Sequence, residues 1–201
     1  MGARLSGVFH TAHQLADATL HSQNPLNFRA AYGPKVHGAA ALHASCMHAP
    51  LRFFNVYSSI AGLMGSAGQA PHAAASSWLD TMAAWRGCGG VACQSVSWGA
   101  VSEVGYAARH GADRRAESSG LGAISRARAS AALSATLVMA CRSFAVLPAD
   151  WSKLLSGRGE PVGLLTPFSD RCLCAQASTC ATACSDATCS LAPTSSRATP
   201  L

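Results

Sequence analysis

Short apolar runs of strand type alternate along this chain with longer segments of helical spacing, and that alternation limits what it can fold into. Leu5 to Ala12 (LSGVFHTA) reads as a strand, and Pro25 to Cys46 then places Phe28, Tyr32, Val36 and Ala39 on one helical face. Leu51 to Ser59 (LRFFNVYSS) is a second strand, rich in aromatics and ended by the glycine loop Gly62 to Gly68. His72 to Arg86 is a helix with Ala74, Trp78, Leu79 and Met82 on its apolar side. Val91 to Trp98 is a third strand, closed by Gly99. After a looser stretch come a helix from Ser125 to about Met139 and a last strand, Ser143 to Pro148. Strand, helix and strand in this order predict an α/β chain of βαβ units, with a parallel sheet and helices on both faces.

Composition supports one folded domain and excludes several classes. The chain has 201 residues, 49% of them hydrophobic, enough apolar surface to offset the entropy of ordering. Its net charge of +6 comes almost wholly from arginine, since lysine occurs only at Lys35 and Lys153. The arginines are scattered, and the nearest cluster, Arg109, Arg114 and Arg115 with Arg126 and Arg128, reads as a solvated face, so no nucleic-acid partner is expected. The longest apolar stretch, Ala129 to Cys141, is too short to span a bilayer. The start matches a myristoylation pattern at Gly2 and Ser6, but a buried strand from Leu5 argues against it. No membrane association and a cytoplasmic address are expected.

The nine cysteines divide into two groups. Cys46, Cys88, Cys93 and Cys141 are dispersed, as small buried hydrophobes are. Cys172, Cys174, Cys180, Cys184 and Cys189 crowd the end without paired C-x2-C knuckles, and no histidine follows His110, so no metal site is expected. With its Ser, Thr and Pro content, 156–201 reads as a disordered tail beyond a domain at 1–155.

Six runs of the sequence, in order and spacing, resemble the ketoreductase domain of modular polyketide synthases, within the short-chain dehydrogenase/reductase superfamily. They are GVFHTAHQLADATL, FRAAYGPKVHGAAALH, FFNVYSSIAGLMGSAGQAPHAAASSWLDTMAAWR, SVSWGAVSEVGYAARHGA, GLGAIS and VLPADW, and the resemblance covers Gly7 to Leu155. The resemblance implies a Rossmann-like, doubly wound parallel sheet, NADPH as cofactor, and reduction of a β-ketoacyl thioester carried on an acyl carrier protein. It also implies a catalytic Ser, Tyr, Lys and Asn. The Ser matches Ser59 and the Lys matches Lys35, but the Tyr position is His72 and the Asn position is Ser76. An imidazole is shorter than a phenol, and a like charge at Lys35 would push it toward its neutral form. Impaired reduction is therefore expected. A Ser59/His72 hydrolase dyad is the competing chemistry, but no G-x-S-x-G elbow surrounds Ser59.

The resemblance is partial in a second way. No G-x-G-x-x-G occurs in the sequence, so the sheet is expected to lack the family's first strands and their phosphate loop. On the cofactor side the matched positions are Ala12, His13 (a glycine in the family), Trp98 and Gly99. Leu15-Ala16-Asp17 is similar to the Leu-Asp-Asp motif of B-type domains, and Gln69 stands where A-type domains carry Trp. Asp17 could equally be a carboxylate at a helix N-terminus. The chain is expected to pair with a missing N-terminal half or to form a homo-oligomer. The alternative is a non-catalytic structural or interaction remnant of a truncated synthase gene.

Overall fold

A computed structural model of the chain describes residues 4–102, 120–138 and 141–156. Four strands, β1 (Gly7–His10), β2 (Phe53–Ser59), β3 (Gln94–Trp98) and β4 (Ser143–Val146), form one sheet in the order β1-β2-β3-β4. Every pairing is parallel, as the alternating sequence predicts. The strands are shorter than their apolar runs. β1 begins only where Gly7 meets Phe53, and a Cβ on Gly7 would lie 2.1 Å from the Phe53 ring. Phe53 covers the bare backbone there and stacks against Phe9 at 4.8 Å.

The expected helix Pro25 to Cys46 forms in two pieces with a wide turn between them. Asn24 opens α1 (Pro25–Tyr32), its side-chain oxygen accepting from the Leu26 and Asn27 amides at 2.9 and 3.2 Å. A π-helical turn, Gly33–His37, then leads into α2 (Gly38–Cys46). The physical reason is Pro34, which has no amide proton for the preceding turn and crowds its carbonyl; one extra residue in the turn absorbs both problems. The Lys35 carbonyl in this turn accepts from His10 Nε2 at 3.0 Å. Gly38 makes room for that contact, since a Cβ there would stand 3.1 Å from the His10 ring.

A short helix, α3 (Ala61–Met64), follows β2, and α4 (Ala70–Cys88) runs back along the sheet. Successive strand residues face opposite sides, so Phe54 and Val56 point one way and Asn55 and Tyr57 the other. The first side holds the core: Phe54, Val56 and Cys93 pack with Ala39 of α2 and with Leu79, Met82 and Ala83 of α4. Arg86 is buried at its margin, its guanidinium 4.3 Å from the centre of the Phe54 ring. It also bonds His43 Nδ1 and the Ala92 carbonyl. On the other side lies α5 (Arg126–Thr136), where the Thr136 hydroxyl accepts from Asn55 Nδ2 at 2.9 Å. Helices thus occupy both faces. Trp151–Ser156 forms α6.

Two expectations are corrected. Of the dispersed cysteines, Cys46 and Cys93 are buried but Cys88 and Cys141 are exposed, because they sit where α4 ends and where the chain approaches β4. The Ser125 helix stops at Thr136 rather than Met139, with Ser125 itself serving as the cap. Arg109, Arg114, Arg115 and the cysteine-rich segment lie outside the described residues. Among the described residues, no helix is long and apolar enough to cross a membrane.

Leu79 is fully buried in the core, whereas Leu20 is 80% exposed. Leu79→Ala should lower unfolding free energy by about 3 kcal/mol through lost burial and a residual cavity, and Leu20→Ala by less than about 0.5 kcal/mol. Urea titrations of both variants beside the parent check this.

Candidate functional site

The carboxyl ends of β2 and β3 open into a cavity of about 1030 Å³. Ligands of open α/β sheets settle at such strand ends, where loops rather than ladder bonds occupy the backbone. Of the residues singled out in the sequence, Lys35, Ser59, His72, His13, Trp98 and Gly99 line it. Ser76 lies behind the wall, wholly buried, and Ala12 is exposed beside the cavity rather than lining it. Four elements meet here: the π turn brings Lys35, the end of β2 brings Ser59, α4 brings His72, and β3 ends in Trp98-Gly99.

Ser59 is held by its own loop. Its Oγ accepts from the Ala61 amide at 3.2 Å, which leaves the hydroxyl proton uncommitted among the described residues. Lys35 is 2% exposed, and its ammonium donates to Ser76 Oγ at 2.5 Å. Ser76 in turn donates to the His72 carbonyl at 2.7 Å. Ser76 therefore ties the amine to α4. Burial pulls the Lys35 amine down to about 8, and the negative charge of Asp80 partly opposes that shift.

His72 is a poor proton reservoir. Its Nδ1 is buried with no hydrogen-bond partner, and the His13 ring stands edge-on with 6.3 Å between centres. Burial first, then the positive charges of Lys35 and His13, hold the imidazole down at about 3, so it is neutral at ordinary pH. Ser59 and His72 make no hydrogen bond to each other, so the hydrolase dyad is not assembled.

The far wall is aromatic and apolar. Tyr57 and Trp98 stack at 5.4 Å, and Leu133 and Arg126 of α5 close the cavity from above them. The near rim is a latch that the sequence only half disclosed: Gln69 Nε2 donates to both oxygens of Asp17, at 3.1 and 3.3 Å. Asp17 is thus not a helix-terminal carboxylate; it pins its loop to the start of α4. The Ala18 amide, bonded to the Gly68 carbonyl at 3.0 Å, secures the same contact. Tyr57, Ser58, Asp80, Ser95 and Ser97 were missed by sequence reasoning. The alternate serines of QSVSW were the available signal, because they give one face of a buried strand a polar lining.

The residues present fit a dinucleotide only in part. At the strand ends, Gly99 offers close backbone approach and Trp98 carries a buried, unpartnered indole nitrogen, which suits a hydrogen-bonding ring. Among the described residues a diphosphate has no comparable cradle. The glycine loop here uses positive φ at Gly65 and Gly68, and it leads into a helix whose second residue is the buried Pro71. Its spacing is not that of the phosphate-binding fingerprint, which the sequence lacks throughout.

Comparison with known proteins agrees with this geometry. A family model described as the KR domain matches residues 1–103. The phthioceranic/hydroxyphthioceranic acid synthase of Mycobacterium tuberculosis is 41% identical over 104 residues, which are 52% of this chain and 5% of the synthase. A mycocerosic acid synthase-like polyketide synthase of the same organism is 41% identical over 106 residues, 53% of this chain and 5% of its own length. Among solved structures, an A1-type ketoreductase superposes with a TM-score of 0.80 at 28% identity, over 86% of this chain and 37% of that one. The first ketoreductase of the tylosin polyketide synthase gives 0.75 at 31% identity, over 84% and 38%. The chain therefore spans about a twentieth of these curated relatives and somewhat over a third of the solved ketoreductases.

His72 makes stability depend on pH in a known direction. The unfolded chain takes a proton near the ordinary value of 6.5, which the folded site refuses until about 3. The stability is complete above pH 6.5 and is lost as pH falls from there toward 3. His72→Phe should remove that part of the slope, narrowing the loss between pH 7 and 4.5 by about 2 kcal/mol. Urea midpoints of parent and variant at the two pH values measure it.

Proposed function

Since the chain belongs to the ketoreductase (KR) domain family of polyketide synthases, we propose that it carries the carbonyl-binding side of a β-ketoacyl reduction site whose proton delivery is impaired. The observation that carries this reading is the convergence of Lys35, Ser59 and His72 on one cavity at the ends of parallel strands. The substrate is a β-ketoacyl thioester borne by an acyl carrier protein, and NADPH, when bound, supplies the hydride.

Each residue of the chain then has a definite task. The free hydroxyl proton of Ser59 donates to the substrate carbonyl, where negative charge develops. The ammonium of Lys35 lies behind it and stabilises that charge through the field of the site. His72 is the weak element. A neutral ring with one buried, unpartnered nitrogen holds no labile proton of the kind a phenol beside a cation would give. Ser76, with one short hydroxyl, fastens Lys35 but extends no relay of its own.

Trp98 and Gly99 support the cofactor's ring end, with His13 at the opposite edge and Ala12 next to it along the chain. The phosphate cradle must come from other sequence: a segment paired along the open edge of β1, or another polypeptide. β1 is bonded only to β2 among the described strands, and parallel sheets are normally covered on both faces. The 201-residue chain by itself should therefore show no micromolar binding of NADPH in titration calorimetry.

The decisive experiment restores the missing strands by fusing the phosphate-binding half of an active ketoreductase, then follows NADPH consumption with a diketide thioester. Turnover should be slow, and His72→Tyr with Ser76→Asn should raise it at least about tenfold, in line with the usual worth of a positioned proton donor. Ser59→Ala or Lys35→Ala in that protein should abolish the gain. A folded, cofactor-binding fusion that gains nothing would overturn the assignment and favour a non-catalytic remnant.

A further inference from the structure

A polar seam runs between the sheet and α4, and it contains one carboxylate, Asp80. Asp80 stands one helical turn beyond Ser76, so both point toward the strands. Its Oδ1 accepts from the hydroxyl of Ser95, and from that of Ser97 at 3.5 Å. Both serines are completely buried. Ser97 pairs with Ser58 in the neighbouring strand, and Ser58 Oγ donates to the Ser76 carbonyl at 3.1 Å. The seam thus leads from Asp80 through the strand serines to Ser76, the residue that receives the Lys35 ammonium.

That ammonium is placed where a charge is costly. Among the described residues its hydrogen-bond acceptor is Ser76 Oγ, although an ammonium offers three donors. Of the titratable groups, His72 and Asp80 of α4 interact with its charge, and His10 of β1 bonds the backbone carbonyl of Lys35 itself. Asp80 alone among them brings negative charge. The two hydroxyls that donate to its carboxylate fix it in orientation.

We propose that Asp80 is a positioning residue, a carboxylate clamped by Ser95 and Ser97 that keeps the Lys35 amine protonated and aligned behind the carbonyl site. The inference rests on the carbonyl-site reading for its purpose, but its test does not involve turnover. Burial drives the Lys35 amine toward its neutral form, and Asp80 is the group that opposes this. Without it, the amine would lose its proton within the ordinary working range of pH.

The chain contains only two lysines, Lys35 and the exposed Lys153, so lysine labelled with carbon-13 at Cε gives one resonance for each. In the full 201-residue chain the Lys35 signal should titrate with a midpoint near 8 and Lys153 should serve as the internal reference. Asp80→Asn should lower the Lys35 midpoint by about one unit or more and leave Lys153 in place. Asp80→Glu, which keeps the charge, should restore most of the shift. An unchanged Lys35 midpoint in a folded Asp80→Asn protein would overturn the proposal.

If Asp80→Asn does not fold alone, Lys35→Met supplies the second background. Folding of the Lys35→Met/Asp80→Asn pair, or a smaller cost of the aspartate change in the methionine background, supports the coupling. An equal cost in both backgrounds, or failure of the pair to fold where Lys35→Met folds, overturns it. A lysine that responds as expected while the rebuilt enzyme stays inert would leave this coupling standing and remove the ketoreductase reading. Restored turnover with an indifferent lysine would do the reverse.

Discussion

The burial of one ammonium organises the site. Lys35 sits 2% exposed between the π turn, α4 and the sheet, and an ion in such surroundings is stable only where its donors and its charge are answered. Ser76 answers one donor, Asp80 answers the charge, and the His10 ring holds the backbone carbonyl of the lysine itself. Ser76 and Asp80 come from α4 and His10 from β1, so the lysine cannot be placed without fixing β1, the π turn and α4 together. Burial first, and then the same charge, hold the His72 imidazole in its neutral form.

Much of the arrangement was legible from local pattern. Alternation of period-two and helical runs specified the parallel α/β sheet, because each apolar run had to lie beside the next. Lys35, Ser59, His72, Trp98 and Gly99 were identified through motif spacing, and the structure brings all five to one cavity. The interruption of the first long helix was not anticipated, although Pro34 marks it plainly: a proline inside apolar helical spacing forces a break or a widened turn, and periodicity alone does not choose. Asp80 was invisible for another reason. A carboxylate on an amphipathic helix looks solvated in one dimension, and only the pairing of Ser97 with Ser58 reveals that its side of the strands is polar.

His72 and Ser76, the two positions where the sequence departs from the Tyr and Asn that the family resemblance implies, are one helical turn apart on α4, and the Ser76 hydroxyl donates to the His72 carbonyl. Ser59 and Lys35, which match the family pattern in sequence, line the same cavity. The Gln69 and Asp17 latch holds the rim of the cavity in shape.

The widened turn at Gly33–His37 has a geometric meaning beyond relieving Pro34. An α-helix advances its side chains by about 100° per residue, so one extra residue in a turn rotates everything downstream by about that angle relative to everything upstream. α1 and α2 are therefore out of phase, and Lys35 is read in neither frame but in the step between them. Loss of a single residue here would return the helix to one continuous phase, carrying Ala39 away from Leu79 and the lysine away from Ser76 in the same motion. The segment tolerates change of side chain more readily than change of length, and an alignment gap at this turn would mark an altered core as well as an altered site.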